Sequence, residues 1–352
     1  MKSNYIIYIS FFFLLLNANS CNLSKTDHSH KLTIDLDNTN DTILYSQFTK
    51  SIDYIELNTN DSCIVSHIDN IFLDDDTIFI LDKKNAGILI FTSNGELVNQ
   101  INNYGNSAEE FINIRAFTID PILNHIYILD CNSQKINKYN YNGDYLESHK
   151  STLYVRDFAV LENGSYLCIL PYYSKYTPYG IWTTDNNNNI IKKIQFEIPQ
   201  DDQFEFVGYY TNLSNQCIYY YDRNWDNFSC ITKDTAIVQY QFDLKQRLKE
   251  DIRKKDPRLI KLKDFAMMSS FSYSDNFLLL TYYYYVDNNP YRWALYNKHT
   301  QKITVSNVVT NDIDYVQSSS EQIFYLNNKT WCRVLDEKVN NCNIQLQILN
   351  LK

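Results

Sequence analysis

The sequence predicts an all-β chain, a six-bladed β-propeller of four-stranded antiparallel blades with a short helical insertion. Three observations predict it. The first is a repeat: Ile78-Phe79-Ile80-Leu81-Asp82 matches Ile126-Tyr127-Ile128-Leu129-Asp130, and Asn94-Gly95-Glu96-Leu97 is echoed by Asn142-Gly143-Asp144-Tyr145, all at an offset of 48 residues. A period near that length is the signature of a propeller blade. The second is composition: 30 Tyr, 19 Phe and 4 Trp make 15% aromatic, and such side chains suit a pleated, half-buried surface. The third is that strand-like runs separated by turn residues continue to the C-terminus, enough for six units in 352 residues.

Taken in order, Met1 to Ser20 reads as a signal peptide: Lys2, an apolar run from Tyr5 to Leu16, then Asn17, Ala18, Asn19 and Ser20 before Cys21. That run is too short for a membrane span, which needs about 20 residues, and has the length of a signal-peptide core. The small residues ahead of Cys21 resemble the lipobox of bacterial lipoproteins, which implies lipidation of Cys21, although Ala18 stands where Leu is usual; a plain secretory signal is the alternative. Residues 21–44 then read as a lipidated tether, and 45–352 as the propeller. Lipidation anchors a protein without spanning, since no other apolar run is long enough.

Ile52 to Leu57 precedes the first unit and is expected to join the C-terminal strands in one blade, closing the ring and removing exposed sheet edges. Units one and two carry the repeat, with Asn-Gly as a hairpin signal. In each, the Asp that ends the aromatic-aliphatic strand can bond the turn after it. Asp157–Val160, Tyr166–Leu170, Gly180–Trp182 and Asp185–Ile194 form a third unit; Cys217–Asp222, Phe228–Thr232 and Ile237–Phe242 a fourth. Phe277–Tyr282, Trp293–Tyr296 and Lys302–Val305 form a fifth; Ile323–Leu326, Trp331–Leu335 and Ile344–Leu349 a sixth. Residues 243–263 break the pattern: Leu244, Leu248 and Ile252 have helical spacing, Asp243 is an N-cap candidate and Pro257 a terminator. Its bases are interleaved with acids, so it reads as a solvated helical insertion.

These features resemble the six-bladed β-propeller lipoproteins of bacterial cell envelopes, a family similar to NHL-repeat propellers. The resemblance rests on Cys21, on the Ile-aromatic-Ile-Leu-Asp units, and on Gly105 to Phe111, where the family reads Gly-x-Gly-Pro-Gly-Glu-aromatic. Gly105, Glu110 and Phe111 are kept; Ser107, Ala108 and Glu109 replace the middle glycines and proline, so a different loop path is expected. The resemblance implies a cell-envelope location, lipid-anchored at the outer membrane.

Net charge −9 argues against a nucleic-acid partner. With 7 Gly, phosphate-cradling loops have no support, and the residues show no nucleophile elbow, zinc motif or CxxC. No cofactor and no metal site is expected: Asp27, His28 and His30 lie in the tether, and Asp35 to Ser46 lacks the Gly and Glu of a calcium loop. His67, His125, His149 and His299 stand singly, Asp74-Asp75-Asp76 and Asp201-Asp202 read as turns, and no catalytic residue is assigned. Seven cysteines remain after Cys21; Cys217 with Cys230 and Cys332 with Cys342 could face each other across hairpins, or all could be buried thiols. The ligand-binding candidates are Tyr172, Tyr173, Tyr176, Tyr179 and Trp182 in a between-strand loop of the third unit, with Arg223 and Trp225 at a hairpin tip; packing on blade edges is the structural reading of the same rings. The function that follows is a non-catalytic binding or scaffold module for a glycan, peptide or envelope protein, reaching the membrane through its lipid anchor alone. The alternative is a glycan-active hydrolase or lyase with acids drawn from several blades.

Overall fold

The computed structural model describes residues 30–39, 41–59, 64–84, 87–151, 154–161, 164–170, 180–185, 187, 189–195, 209–213, 218–222, 226–249, 261, 263, 265–318, 320–335 and 344–352. The chain opens with β1 (His30–Ile34), β2 (Ile43–Leu44), a short 3-10 turn (Tyr45–Gln47) and β3 (Thr49–Glu56). Blade 1 is β4 (Asn70–Asp74), β5 (Thr77–Asp82), β6 (Gly87–Thr92) and β7 (Leu97–Ile101); blade 2 is β8 (Ile114–Asp120), β9 (His125–Asp130), β10 (Lys135–Asn140) and β11 (Tyr145–Lys150). Blade 3 is β12 (Asp157–Val160), β13 (Tyr166–Leu170), β14 (Gly180–Thr184) and β15 (Ile190–Gln195); blade 4 is β16 (Tyr209–Leu213), β17 (Ile218–Asp222), β18 (Asn227–Ile231) and β19 (Ala236–Leu244). Blade 5 is β20 (Met267–Tyr273), β21 (Phe277–Tyr283), β22 (Tyr291–Asn297) and β23 (Lys302–Ser306); a short β24 (Val309–Thr310) then pairs with β2. Blade 6 takes β25 (Ile323–Asn327), β26 (Thr330–Leu335) and β27 (Gln345–Leu351) from the C-terminus and β3 from the N-terminus. The expected ring closure is therefore present: Glu56 pairs with Gln345 and Ile52 with Leu349, antiparallel.

The 48-residue repeat is a repeat of hydrogen bonds as well as of letters. Thr92 N–H donates to Glu96 O at 2.9 Å and Gly95 N–H to Thr92 O at 2.9 Å; 48 residues on, Asn140 N–H donates to Asp144 O at 2.9 Å and Gly143 N–H to Asn140 O at 3.0 Å. Gly95 and Gly143 sit at φ +85 and +88, the left-handed region that glycine reaches without steric cost. Asp82 and Asp130, both fully buried, tie two segments of their own blades together. Asp130 accepts from Asn132 N–H at 3.0 Å in the following turn and from Ile112 N–H at 2.8 Å in the segment leading into β8. Asp82 does the same with Lys84 N–H at 3.0 Å and Ser66 N–H at 2.7 Å.

The core lies between the sheets, where facing blades interdigitate buried aliphatic and aromatic rows such as Phe79, Ile88, Phe117 and Ile128. First strands of neighbouring blades meet around the axis: β25 touches β4 and β20, β20 touches β16, and β8 touches β12.

Two expectations about the edges are corrected. Residues 21–44 are not all tether: β1 pairs parallel with β19, His30 opposite Tyr240 and Ile34 opposite Leu244, making a fifth strand on blade 4. Leu32, Ile34 and Leu36 are buried, a period-2 row that suits one face of a strand. The insertion read over 243–263 does not begin as a helix either. β19 runs through Asp243 to Leu244, with Tyr240, Phe242 and Leu244 buried on one face. Leu244 thus ends an alternating pattern rather than starting a helical one, and Asp243, the expected N-cap, sits in a strand; residues 250–260 lie outside the described residues. Cys131, Cys168 and Cys332 are free thiols, with Cys168 and Cys332 buried. Cys63, Cys217 and Cys342 lie outside the described residues. Among the described residues no helix is long and apolar enough to cross a membrane.

Candidate functional site

The first strand of each blade ends near the axis, and its turn into the second strand sets what stands there. In blade 1 that turn is Asp75-Asp76, with Asp75 at φ +45, a conformation Asp tolerates better than most residues. In blade 2 it is Pro121 to Asn124, held by the buried Asp120, which accepts from Ile122 N–H at 3.0 Å and Leu123 N–H at 3.2 Å. In blade 6 it is Asn328-Lys329, where Tyr325 donates its hydroxyl to Asn328 Oδ1 at 3.0 Å.

These turns and the ends of β4, β8, β12 and β25 enclose an axial cavity of about 550 Å3. Asp74, Asp75 and Asp120 bring carboxylates to it, Lys329 an ammonium, and Phe72, Ile119, Val160 and Tyr325 apolar surface. Its two rings are engaged by the protein: Phe72 meets Phe117 edge-on at 4.9 Å between centroids, and Tyr325 is buried. Beside it, between blades 1 and 2, lies a cleft of about 450 Å3 that shares Asp74 and Asp75 and adds Asp76, His125 and Tyr141. Tyr141 donates to Asp74 Oδ2 at 2.7 Å, and burial first, then that carboxylate, pushes its hydroxyl up, so it stays a donor. Burial, and after it Lys138, holds the His125 imidazole below its usual range. Among the described residues no group of three or more His, Cys, Asp or Glu is placed to hold a metal ion.

The loop that carried the family resemblance is a strut. Phe111 N–H donates to Asn103 O at 2.9 Å and Gly105 N–H to Phe111 O at 3.0 Å, closing a loop over the buried Phe111 ring. Glu110 accepts from Ser107 N–H at 2.7 Å and lies against Gly105, where a Cβ would come within 2.1 Å of Glu110 Oε2. Tyr139 donates to Glu109 O at 2.6 Å and Lys135 to Ser107 O at 2.7 Å, so blade 2 holds the loop down despite the lost glycines and proline.

Of the ligand-binding candidates, Tyr172, Tyr173, Tyr176, Tyr179, Arg223 and Trp225 lie outside the described residues, as does the lipidation candidate Cys21. Trp182 is described, and it is not in a loop. It stands in β14 opposite Cys168 and Lys193, half-buried on the core, with Lys193 Nζ 5.5 Å from its ring centroid. The turn expected at Asp74-Asp75-Asp76 is present at Asp75 and Asp76, while Asp74 ends β4. The sequence does not place Asp74 at the axis, because β4 carries no strand-like pattern. The polar end of Asn70-Ile71-Phe72-Leu73-Asp74 disguises an inner strand that is only partly buried.

A family model described as a domain of unknown function, DUF4934, matches residues 31–346, and the chain belongs to that family. The match begins inside β1 and ends inside β27, so the edge strand on blade 4 is part of the family's unit. Two solved structures share the fold. One, from Bacteroides fragilis NCTC 9343, bears a name that gives it as an expected exported protein; it is 17% identical, with a TM-score of 0.73, over 92% of this chain and 99% of that one. The other is a DUF4221 family member from Bacteroides vulgatus, 10% identical with a TM-score of 0.52, over 86% of this chain and 97% of that one. Among curated proteins none matches the chain by sequence.

Proposed function

We propose that this member of the family is an exported, lipid-anchored propeller, held at the outer membrane through Cys21, that binds a glycan, peptide or envelope-protein partner at its axial cavity without chemical turnover. The observation that carries the reading is the cavity itself, about 550 Å3 between the inner strands of four blades, within the size range of built ligand sites. Its carboxylates speak for recognition rather than proton transfer. Asp120 is committed to two backbone donors and Asp74 to the Tyr141 hydroxyl, which are positions of acceptors in a scaffold. The signal-peptide order of Met1 to Ser20, and the name of the Bacteroides fragilis neighbour, support export.

The test is a thermal-shift screen of the chain from Asn22 against glycan and peptide libraries, repeated with Asn327→Trp, which sets a bulky ring at the exposed rim of the cavity. A ligand that binds the native state raises the melting temperature by mass action. Hits lost in Asn327→Trp support the reading. Hits that are hydrolysed on incubation, or that survive Asn327→Trp unchanged, overturn it. Labelling of the full chain with a palmitate analogue, lost in Cys21→Ser, tests the anchor.

A further inference from the structure

The axial cavity and the cleft between blades 1 and 2 are neighbours with a common wall, Asp74 and Asp75. We propose that they form one acidic groove whose occupant is an extended, cationic peptide segment with lysine or arginine side chains; this rests on the axial-cavity reading above.

Charge is the first argument. Asp74, Asp75, Asp76 and Asp120 line the combined groove, and Lys329 is the cation among its described lining residues. Positive ligand charge meets this field favourably, and low-dielectric walls strengthen it. Shape is the second. The groove runs from the axis outward over two blades, so it suits a chain rather than a compact small molecule. The third is hydrogen bonding. The exposed Asn124 and Asn142 place side-chain amides along the same cleft. Those groups suit a backbone, while Ile119, Val160 and Ile122 suit the aliphatic stems of lysine or arginine. Glycans fit less well, because the two cavity rings are packed against the protein rather than presented as open platforms.

The experiment measures binding of three labelled five-residue peptides of alternating Leu with Lys, Gln or Glu, by fluorescence anisotropy, to the chain from Asn22. The Lys peptide is expected to bind at least tenfold more tightly than the other two and to weaken severalfold in 0.5 M salt, as screened charge contacts do. Asp75→Asn and Asp76→Lys are expected to weaken it fivefold or more, with melting curves confirming the fold. N-acetyl-lysine amide, which reaches only the axial cavity, is expected to be insensitive to Asp76→Lys. Equal binding of all three peptides, still lost in Asn327→Trp, overturns the charge inference and leaves the cavity reading standing. Binding of the Lys peptide that ignores both Asp variants, or no binding of it at all, overturns the groove outright. The cavity reading then stands or falls on the library screen.

Discussion

Replacing Asp130 by Ala tests whether the repeat works as a staple between blade segments. Its carboxylate is fully buried and accepts from Ile112 N–H at 2.8 Å, Asn132 N–H at 3.0 Å, Asn113 N–H at 3.2 Å and the Ser133 hydroxyl at 2.5 Å. Each buried donor left without an acceptor costs about 1–3 kcal/mol. The short Ile112 and Asn132 bonds dominate, the Ser133 hydroxyl can rotate, and the sum is about 3–5 kcal/mol. At about 2 °C per kcal/mol for a chain of this size, the melting temperature falls by roughly 6–10 °C. Asp130→Asn keeps one acceptor oxygen and is expected to lose about half as much. The pH dependence has a definite sign. Burial alone would raise this carboxyl, but the bonds from Ser133, Ile112, Asn132 and Asn113 outweigh it and hold the folded group below the ordinary 3.8. That share of stability is fully present above about pH 4 and fades as pH falls through the lowered value, because protonation then removes an acceptor. Calorimetric melts of wild type and Asp130→Ala at pH 7 and in acid check both parts. A drop under about 2 °C at pH 7 would refute the staple. So would a difference that widens rather than narrows in acid.

Three further outcomes follow from the same structure. Gly95 lies at φ +85 with an added Cβ 1.8 Å from the backbone oxygen of Glu56, whereas Gly164, at φ +76, has nothing within 4 Å. Gly95→Ala is therefore expected to cost about 3 kcal/mol or more in denaturant melts, against about 1 kcal/mol for Gly164→Ala, because only the first must also move the ring-closing strand. Ile34→Ala, which opens a hole under β1, is expected to cost about 3 kcal/mol by the same assay. Burial pushes the Lys298 ammonium down to about 7 against the opposing pull of Asp275, and the Tyr273 ring, 3.4 Å from it, also favours the charged form. A lowered lysine pKa makes wild type gain stability as pH rises from about 7 towards the ordinary 10.5. Lys298→Met is thus expected to be more stable than wild type by about 2 kcal/mol at pH 6, with the advantage gone near pH 10.

The fold was legible where the chain repeats itself or alternates. The Asn-Gly turns and the Ile-aromatic-Ile-Leu-Asp strands located blades 1 and 2, and Ile52 to Leu57 was recognised as the closing strand. Inner strands such as β4 and β20 leave no such signal, because their mixed burial gives neither clean alternation nor a continuous apolar run. β1 is not evident in the sequence, because Leu32, Ile34 and Leu36 alternate inside a polar stretch whose partner, β19, is some 210 residues away. The axial site had the same obstacle. Asp74 and Asp120 are 46 positions apart in sequence, and only the closed ring brings them to one cavity.

The central claim is that the cavity at the axis is where this propeller holds its ligand. The most direct measurement is a crystal structure of the chain from Asn22 with the tightest ligand from the library screen. The account predicts ligand density between Asp74, Asp120 and Tyr325, extending over Asp75 towards His125. Density on the opposite face, with the axial cavity holding solvent alone, would contradict it.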